Sequence, residues 1–135
     1  MSIEKEVPLS ALVVDDSMLI RHTVCRFLED LGFSVESATN GLEALEHVKR
    51  RIPHLIITDM SMPKMTGGDL ITALRSNPET AAVPVIVLAG RSSGFQEGER
   101  RANFAIFKDI DIEDQLRKGL QTVLGDKAFA NSSGR

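Results

Sequence analysis

The 135-residue chain contains no tryptophan and no tyrosine, and six phenylalanines make up its whole complement of large aromatic residues. Proteins that bind single-stranded nucleic acid usually stack bases on aromatic side chains beside a basic groove. Here the net charge is −3, and no stretch combines dense lysine and arginine with aromatic residues. The composition therefore argues against direct nucleic-acid binding.

Cysteine and long apolar runs are also scarce. The single cysteine, Cys25, excludes an internal disulfide and falls in an apolar helical pattern, which predicts a small core residue in a reducing compartment. No run approaches the roughly 18 apolar residues of a membrane-spanning helix. The first nine residues carry three charges and have no apolar core, so they do not resemble a signal peptide. We therefore expect a soluble, cytoplasmic protein that does not contact a membrane.

Short apolar runs alternate with helical patterns along the chain. A length of 135 residues with 42% apolar and 26% charged residues suits a single globular domain. The apolar runs predict five buried strands, at residues 12–14, 33–38, 54–58, 84–88 and 104–107. Helical patterns are predicted after Ser17, after Asn40, through Leu70 and Leu74, at about residues 95–101, and after Asp111. This alternation predicts an open parallel sheet with helices on both faces.

Charged residues stand at the ends of several predicted strands. Asp15 and Asp16 follow the first strand, Asp59 follows the third, and Lys108 follows the fifth. Ligands of such sheets bind beyond the carboxyl ends of the strands. Although these four residues are far apart in the sequence, we expect them to meet at one edge of the sheet.

Phosphoryl transfer is the chemistry that such a group favours. Clustered carboxylates repel one another unless a cation neutralises them, and hard oxygen ligands suit Mg²⁺. A carboxylate can also attack a phosphoryl group, while a metal and a lysine neutralise the transition state. Asp59, alone at its strand end, is the better nucleophile, and the Asp15–Asp16 pair is the better metal clamp. A single aspartate at a strand end is often only a turn former or helix cap, so the prediction depends on all four residues together.

Two segments carry a resemblance to a known family. Residues 13–17 (Val-Val-Asp-Asp-Ser) and 59–67 (Asp-Met-Ser-Met-Pro-Lys-Met-Thr-Gly), together with Lys108, resemble the receiver domain of bacterial two-component response regulators. The resemblance covers about residues 9–124, which leaves residues 1–8 as an N-terminal extension and 125–135 as a flexible tail. It implies an α/β fold of the flavodoxin-like (βα)5 type, a doubly wound parallel sheet with strand order 2-1-3-4-5.

The resemblance also implies roles for individual residues. Asp59 resembles the phosphoacceptor, which receives its phosphoryl group from a histidine kinase, a phosphotransfer protein or a small phosphodonor. Asp16, Asp59 and the backbone carbonyl of Ser61 resemble direct Mg²⁺ ligands, and Asp15 resembles a ligand that acts through water. Lys108 resembles the lysine that pairs with phosphoryl oxygens.

Three positions depart from the family's pattern. Ala89 replaces the threonine or serine whose hydroxyl would bind the phosphoryl group, and Ala105 replaces the rotating tyrosine or phenylalanine. Because a strand alternates faces, we interpret neither Phe104 nor Phe107 as having the side and reach of that aromatic residue. Asp109 follows the lysine where a proline, often in a cis bond, is usual. We therefore expect an intact receiving site with an atypical output switch.

Three functions remain open at this point. The first is a phosphorelay signalling receiver, not an enzyme, which acts through protein contacts either alone or as part of a longer protein. In this function Met18 and Leu19 match the family's docking surface for a kinase or phosphotransfer protein. They lie off the apolar stripe of the first helix, and they also suit scattered surface apolar residues. The second function is a phosphorylation-independent interaction module. The third is an aspartyl phosphatase of the haloacid-dehalogenase kind, which the adjacent rather than alternate aspartates disfavour.

Overall fold

The computed structural model describes residues 8–90, 101–108 and 111–130. Within these ranges the strands form one parallel sheet in the order β2-β1-β3-β4-β5. In chain order the elements are β1 (Ser10–Val14), α1 (Met18–Asp30), β2 (Ser34–Ala38), α2 (Gly41–Arg50), β3 (Leu55–Asp59), α3 (Gly67–Ser76), β4 (Val85–Ala89), β5 (Phe104–Phe107) and α4 (Ile112–Leu124). The predicted flavodoxin-like topology is confirmed. The helix predicted near residues 95–101 lies, except for its last residue, outside the described residues.

Helices cover both faces of the sheet, which explains why its central strands have no polar face. Every residue of β3 and β4 is buried. One core cluster contains Val13 and Ile57 with Leu28 of α1 and Leu116 of α4. The other contains residues on the opposite face of the same strands, packed against α2 and α3. Since successive strand residues point to opposite faces, continuous apolar runs are what two covered faces require.

Polar side chains cap the helices at their amino ends. Ser17 accepts a hydrogen bond from the backbone of Ile20, and Asn40 accepts one from Glu43. Asp111 caps α4 in the same way, through the backbone N–H of Asp114. The helix starts predicted at these three caps are therefore confirmed. None of the helices in the described ranges is long and apolar enough to cross a membrane.

The end of the described chain is more ordered than the sequence suggests. The small, polar composition predicts a loose tail from Gly125 onward, but Gly125–Phe129 forms a short 3-10 helix. Its Ala128 is 2% exposed within the α1–α4 core cluster, and Phe129 packs against the same cluster. The prediction is wrong up to Ala130 because this buried apolar contact holds the segment, and such burial stabilises it. Residues 131–135, and residues 1–7 of the predicted extension, lie outside the described ranges.

Candidate functional site

The carboxyl edge of the sheet brings three of the predicted site residues into contact. Asp15 follows β1, Asp59 ends the adjacent β3, and Lys108 follows β5. The Nζ atom of Lys108 lies 3.0 Å from Oδ2 of Asp15 and 3.1 Å from Oδ1 of Asp59. Because β4 separates β5 from β3, the lysine side chain must pass the end of β4, where Ala89 provides only a methyl group.

The two carboxylates are buried, and burial sets their electrostatics. Asp15 is 0% and Asp59 is 3% exposed. Burial raises the pKa of Asp59 above its ordinary value, and the nearby charge of Asp15 raises it further, while Lys108 and the backbone of Ser61 lower it in part. Burial also lowers the pKa of Lys108, but hydrogen bonds and attraction to both aspartates outweigh this, so its pKa lies above the ordinary value. Two buried carboxyl groups thus share one ammonium.

A divalent cation fits this donor set. Asp15, Asp16 and Asp59 each place a carboxylate oxygen within 4.8 Å of the others, and Asp16 is exposed to solvent. Oδ2 of Asp15 is buried, and the charged group in contact with it is the ammonium of Lys108. A buried carboxylate oxygen beside two further carboxylates suits Mg²⁺, which prefers oxygen ligands and brings bound waters that can donate to the remaining oxygens. The acidic cluster is therefore compatible with a metal site.

Local hydrogen bonds hold the aspartates in place. Oδ1 of Asp15 accepts a bond of 2.8 Å from the backbone N–H of Ser17, and Arg21 donates a bond of 2.8 Å to the Asp15 carbonyl. The backbone N–H of Ser61 donates a longer bond, 3.4 Å, to Oδ1 of Asp59. Ser61 therefore adjoins the site, and the metal-binding role of its carbonyl stays a prediction.

Gly67 allows the loop after β3 to return close to Asp59. A Cβ atom at this position would clash with the backbone carbonyl oxygen of Asp59 and would lie 2.8 Å from Cα of Met60. The Gly67 N–H also donates to the Met60 carbonyl at 3.1 Å. The glycine that closes the Asp-x-x-Met-Pro-x-Met-x-Gly stretch is thus explained by a close approach of two backbone segments.

The two alanine positions lie on one face of neighbouring strands. In the register of β4 and β5, Val87 pairs with Ala105 and Ala89 pairs with Phe107. Residues two apart on a strand share a face, so Phe107 lies on the Ala105 face, one pair nearer the carboxyl edge. The prediction that Phe107 lies on the other side is therefore wrong, whereas Phe104 does pack in the opposite cluster. Phe107 is 39% exposed.

Met18 and Leu19 are exposed at the start of α1, each by 73%. They follow Asp16 and the helix cap Ser17, so they form an apolar surface beside the acidic cluster. Their position off the core-facing stripe agrees with the sequence pattern. Their role in docking stays a prediction.

Sequence reasoning missed two side chains near the site. Arg21 holds the Asp15 carbonyl from the second turn of α1, and Gln115 of α4 bonds the backbone of Phe107 beside Lys108. Arg21 lies six residues after Asp15, a separation that marks no motif. Gln115 is a single polar residue next to a buried leucine, and nothing in the sequence distinguishes it from a solvent-facing glutamine.

Comparison with known proteins agrees with this fold and site. The family profile described as "Response regulator receiver domain" matches residues 11–121. "Response regulator Rre1" of Synechocystis sp. is 36% identical over 134 residues, which cover 94% of this chain and 56% of that protein. "Gliding motility regulatory protein" of Myxococcus xanthus is 42% identical over 93 residues, which cover 69% of this chain and 12% of that protein. The chain thus spans about half, or much less, of the length of these curated relatives.

Solved structures of the same class superpose closely. Chemotaxis response regulator CheY4 of Vibrio cholerae is 35% identical with a TM-score of 0.78, covering 87% of this chain and 100% of that one. A CheY-like receiver domain from Methylobacillus flagellatus is 26% identical with a TM-score of 0.75, covering 87% of this chain and 99% of that one. Since the profile match spans most of the chain and the fold agrees with it, the chain belongs to the response regulator receiver domain family.

Proposed function

We propose that this chain is a phosphorelay receiver, which accepts a phosphoryl group on Asp59 with Mg²⁺ and signals through protein contacts. Its family is consistent with two-component signalling. The observation that carries the proposal is the position of Lys108 Nζ between the buried carboxylates of Asp15 and Asp59. This arrangement provides a nucleophile and a cation to pair with the incoming phosphoryl oxygens.

The proposed reaction uses these groups directly. A carboxylate oxygen of Asp59 forms a bond to phosphorus, while the bond between phosphorus and the donor, a histidine nitrogen or a carboxylate oxygen of a small phosphodonor, breaks and its electron pair leaves with the donor. Lys108 pairs with the phosphoryl oxygens. Asp16, Asp59 and the Ser61 carbonyl would hold Mg²⁺, with Asp15 acting through water. Bound Mg²⁺ supplies charge neutralisation for the phosphoryl oxygens.

The proposed partner is a histidine kinase or a phosphotransfer protein. The exposed Met18 and Leu19 adjoin the acidic cluster, so a partner that delivers a phosphoryl group to Asp59 can contact them. In this role the chain is a cytoplasmic signalling protein and not an enzyme that turns over a substrate. A chain with Met18→Ala and Leu19→Ala should accept phosphoryl groups from acetyl phosphate normally and from its kinase slowly. An unchanged rate from the kinase would rule out this docking surface.

In the family, the hydroxyl residue after β4 and the rotating aromatic residue of β5 act together as a coupled switch. The output that we propose for this chain differs from that switch. Ala89 has no hydroxyl to bind the phosphoryl group, and Ala105 has no aromatic ring to rotate. Beryllofluoride with Mg²⁺ imitates an aspartyl phosphate, so its addition should change the NMR shifts around Asp59 far more than those in β5. Large, concerted changes across residues 90–108 would contradict this proposal.

A phosphorylation-independent interaction module is the second candidate, and the same two alanines favour it. The two functions differ in one measurement, the mass of the intact protein after incubation with acetyl phosphate and Mg²⁺. The receiver predicts a phosphoryl adduct that depends on Mg²⁺ and is absent from Asp59→Asn. A folded chain that forms no adduct with acetyl phosphate or with a histidine kinase would favour the second candidate.

A further inference from the structure

The side chain of Gln115 forms hydrogen bonds with the backbone at the outer edge of β5. Among the described strands, β5 ends the sheet and pairs with β4 alone. The N–H of Lys108 points toward β4, where it donates to the Ala89 carbonyl at 2.9 Å. In a parallel ladder the backbone groups of alternate residues face opposite sides, so those of Phe107 face the open edge.

Gln115 of α4 satisfies both of these edge groups. The N–H of Phe107 donates to Oε1 of Gln115 at 3.0 Å, and Nε2 of Gln115 donates to the Phe107 carbonyl at 2.8 Å. A primary amide offers a donor and an acceptor side by side, as the backbone of a neighbouring strand does. The side chain therefore takes the place of one residue of a sixth strand. We call these two hydrogen bonds the Gln115–Phe107 pair.

The helix that carries Gln115 is itself well fixed. The next residue, Leu116, is fully buried in the core cluster. The backbone N–H of Gln115 donates to the carbonyl of the cap residue Asp111 at 3.3 Å. The Gln115–Phe107 pair therefore connects the end of β5 to a rigid part of the molecule.

One peptide unit joins this pair to the functional site. The carbonyl of Phe107 and the N–H of Lys108 belong to the same planar peptide group. Gln115 holds its carbonyl end from the open edge, and Ala89 holds its N–H end from β4. The backbone from which the lysine side chain starts is thus fixed on both sides. Asp109 follows, so no proline ring restricts the chain next to the lysine.

We propose that Gln115 is a positioning residue for Lys108, which keeps the ammonium group at the carboxylates of Asp15 and Asp59. The inference rests on the proposed function in so far as Lys108 pairs with a phosphoryl group. Lysine has a long side chain with many rotamers, and a fixed backbone reduces the space that its ammonium group samples. Without the pair, the end of the edge strand is free to fray and Lys108 leaves the carboxylates more often.

Releasing Lys108 affects two ligands differently. The phosphoryl group needs the ammonium as its partner, so its uptake slows. A metal ion instead competes with the ammonium for the oxygens of Asp15 and Asp59, so its affinity stays the same or rises. General damage to the fold would weaken both processes. This difference separates a positioning role from a merely structural one.

The experiment compares Gln115→Ala with Gln121→Ala on the same helix, whose amide bonds the exposed Asp126 instead. Phosphoryl uptake from acetyl phosphate is followed by intact mass, and Mg²⁺ affinity by NMR titration. Gln115→Ala should slow uptake at least about tenfold, as the loss of the two hydrogen bonds to Phe107 implies, with Mg²⁺ affinity unchanged or higher. Gln121→Ala should match the parent chain. Uptake at the parent rate, or equal losses of uptake and Mg²⁺ affinity, would overturn the proposal.

An isosteric variant tests the hydrogen-bonding pattern itself. Gln115→Glu keeps the size of the side chain but, when ionised, presents two acceptors and repels the Phe107 carbonyl. At neutral pH it should behave as Gln115→Ala does. Behaviour like the parent chain would show that Gln115 acts by packing, and the proposal would be wrong.

A metal-free measurement separates this inference from the proposed function. The Lys108 side chain is 20% exposed and paired, whereas that of Lys49 is 72% exposed. Acetic anhydride without Mg²⁺ should therefore acetylate Lys108 more slowly than Lys49, and Gln115→Ala should raise the ratio of the two rates. An unchanged ratio refutes the positioning role whether or not the parent chain accepts a phosphoryl group. If the parent chain takes up no phosphoryl group but Gln115→Ala raises the ratio, only the proposed function is refuted.

Discussion

Replacing Lys108 with methionine should destabilise the metal-free protein strongly at neutral pH. Methionine preserves much of the length of the side chain but leaves Asp15 and Asp59, both almost fully buried, without a cation. Removing one partner of a buried ion pair typically costs about 3–5 kcal/mol. Protonation of one aspartate limits this cost. At pH 7 that protonation costs about 4 kcal/mol for a carboxyl with the ordinary pKa of 3.8, at ~1.4 kcal/mol per pH unit.

The destabilisation should become smaller in acid. Burial already raises the pKa of Asp59, and the loss of the Lys108 charge raises it further. The folded variant therefore binds a proton at pH values where the unfolded chain has released it, so its stability increases as the pH falls. The full cost is present above the folded pKa of Asp59. Between that pKa and 3.8 the variant regains up to ~1.4 kcal/mol per pH unit.

Urea unfolding followed by far-ultraviolet circular dichroism measures this effect, since the chain has no tryptophan or tyrosine for fluorescence. Lys118→Met is the matched control, because Lys118 pairs with Asp114 at an exposed position and should contribute at most about 1 kcal/mol. Mg²⁺ should stabilise Lys108→Met more than the parent chain, because no ammonium competes for the carboxylates. A variant as stable as the parent at neutral pH, or one whose deficit grows at about pH 5, would refute the reasoning.

Three further predictions follow from single positions. Ala89→Ser restores a hydroxyl at the end of β4, so beryllofluoride should bind about tenfold to a hundredfold more tightly by NMR titration, while Ala105→Ser should leave it unchanged. Gly67→Ala forces a Cβ against the Asp59 carbonyl and should lower the free energy of unfolding by about 1–3 kcal/mol, whereas Gly90→Ala, whose Cβ would meet no atom of the described residues within 4 Å, should have little effect. Burial raises the pKa of the Cys25 thiol above 9.0, so iodoacetamide should modify it slowly at neutral pH and faster in urea, and rapid modification of the folded chain would contradict this.

Much of the fold was predictable because local patterns and tertiary structure agree. The apolar runs are continuous since both faces of the sheet are covered, and polar caps begin the helices where the sequence places them. The convergence of Asp15, Asp59 and Lys108 follows from one rule, that parallel strands present their carboxyl ends at the same edge. That prediction needs only the positions of the strand ends, and no knowledge of the contacts between side chains.

The features that were missed depend on tertiary contacts. The 3-10 helix at Gly125–Phe129 exists where Ala128 reaches the core, which composition does not reveal. The Gln115–Phe107 pair joins α4 to the end of β5, and a glutamine with this role has no sequence signature. The position of Phe107 did not depend on tertiary contacts. The two-residue period of a strand is sufficient to predict that Phe107 shares a face with Ala105.

Side chains from two helices hold β5 at both of its ends. At its start, Arg75 of α3 donates to the Arg101 carbonyl at 2.9 Å and to Oδ1 of Asn103 at 3.1 Å. Asn103 in turn bonds the backbone of β4. At its end, Gln115 of α4 holds the Phe107 backbone. A four-residue edge strand fixed in this way resists the displacement that a coupled switch requires, and the alanines at 89 and 105 provide no hydroxyl or ring to drive it. The anchoring of the backbone and the missing side chains thus independently support the proposal that phosphorylation of Asp59 changes β5 little.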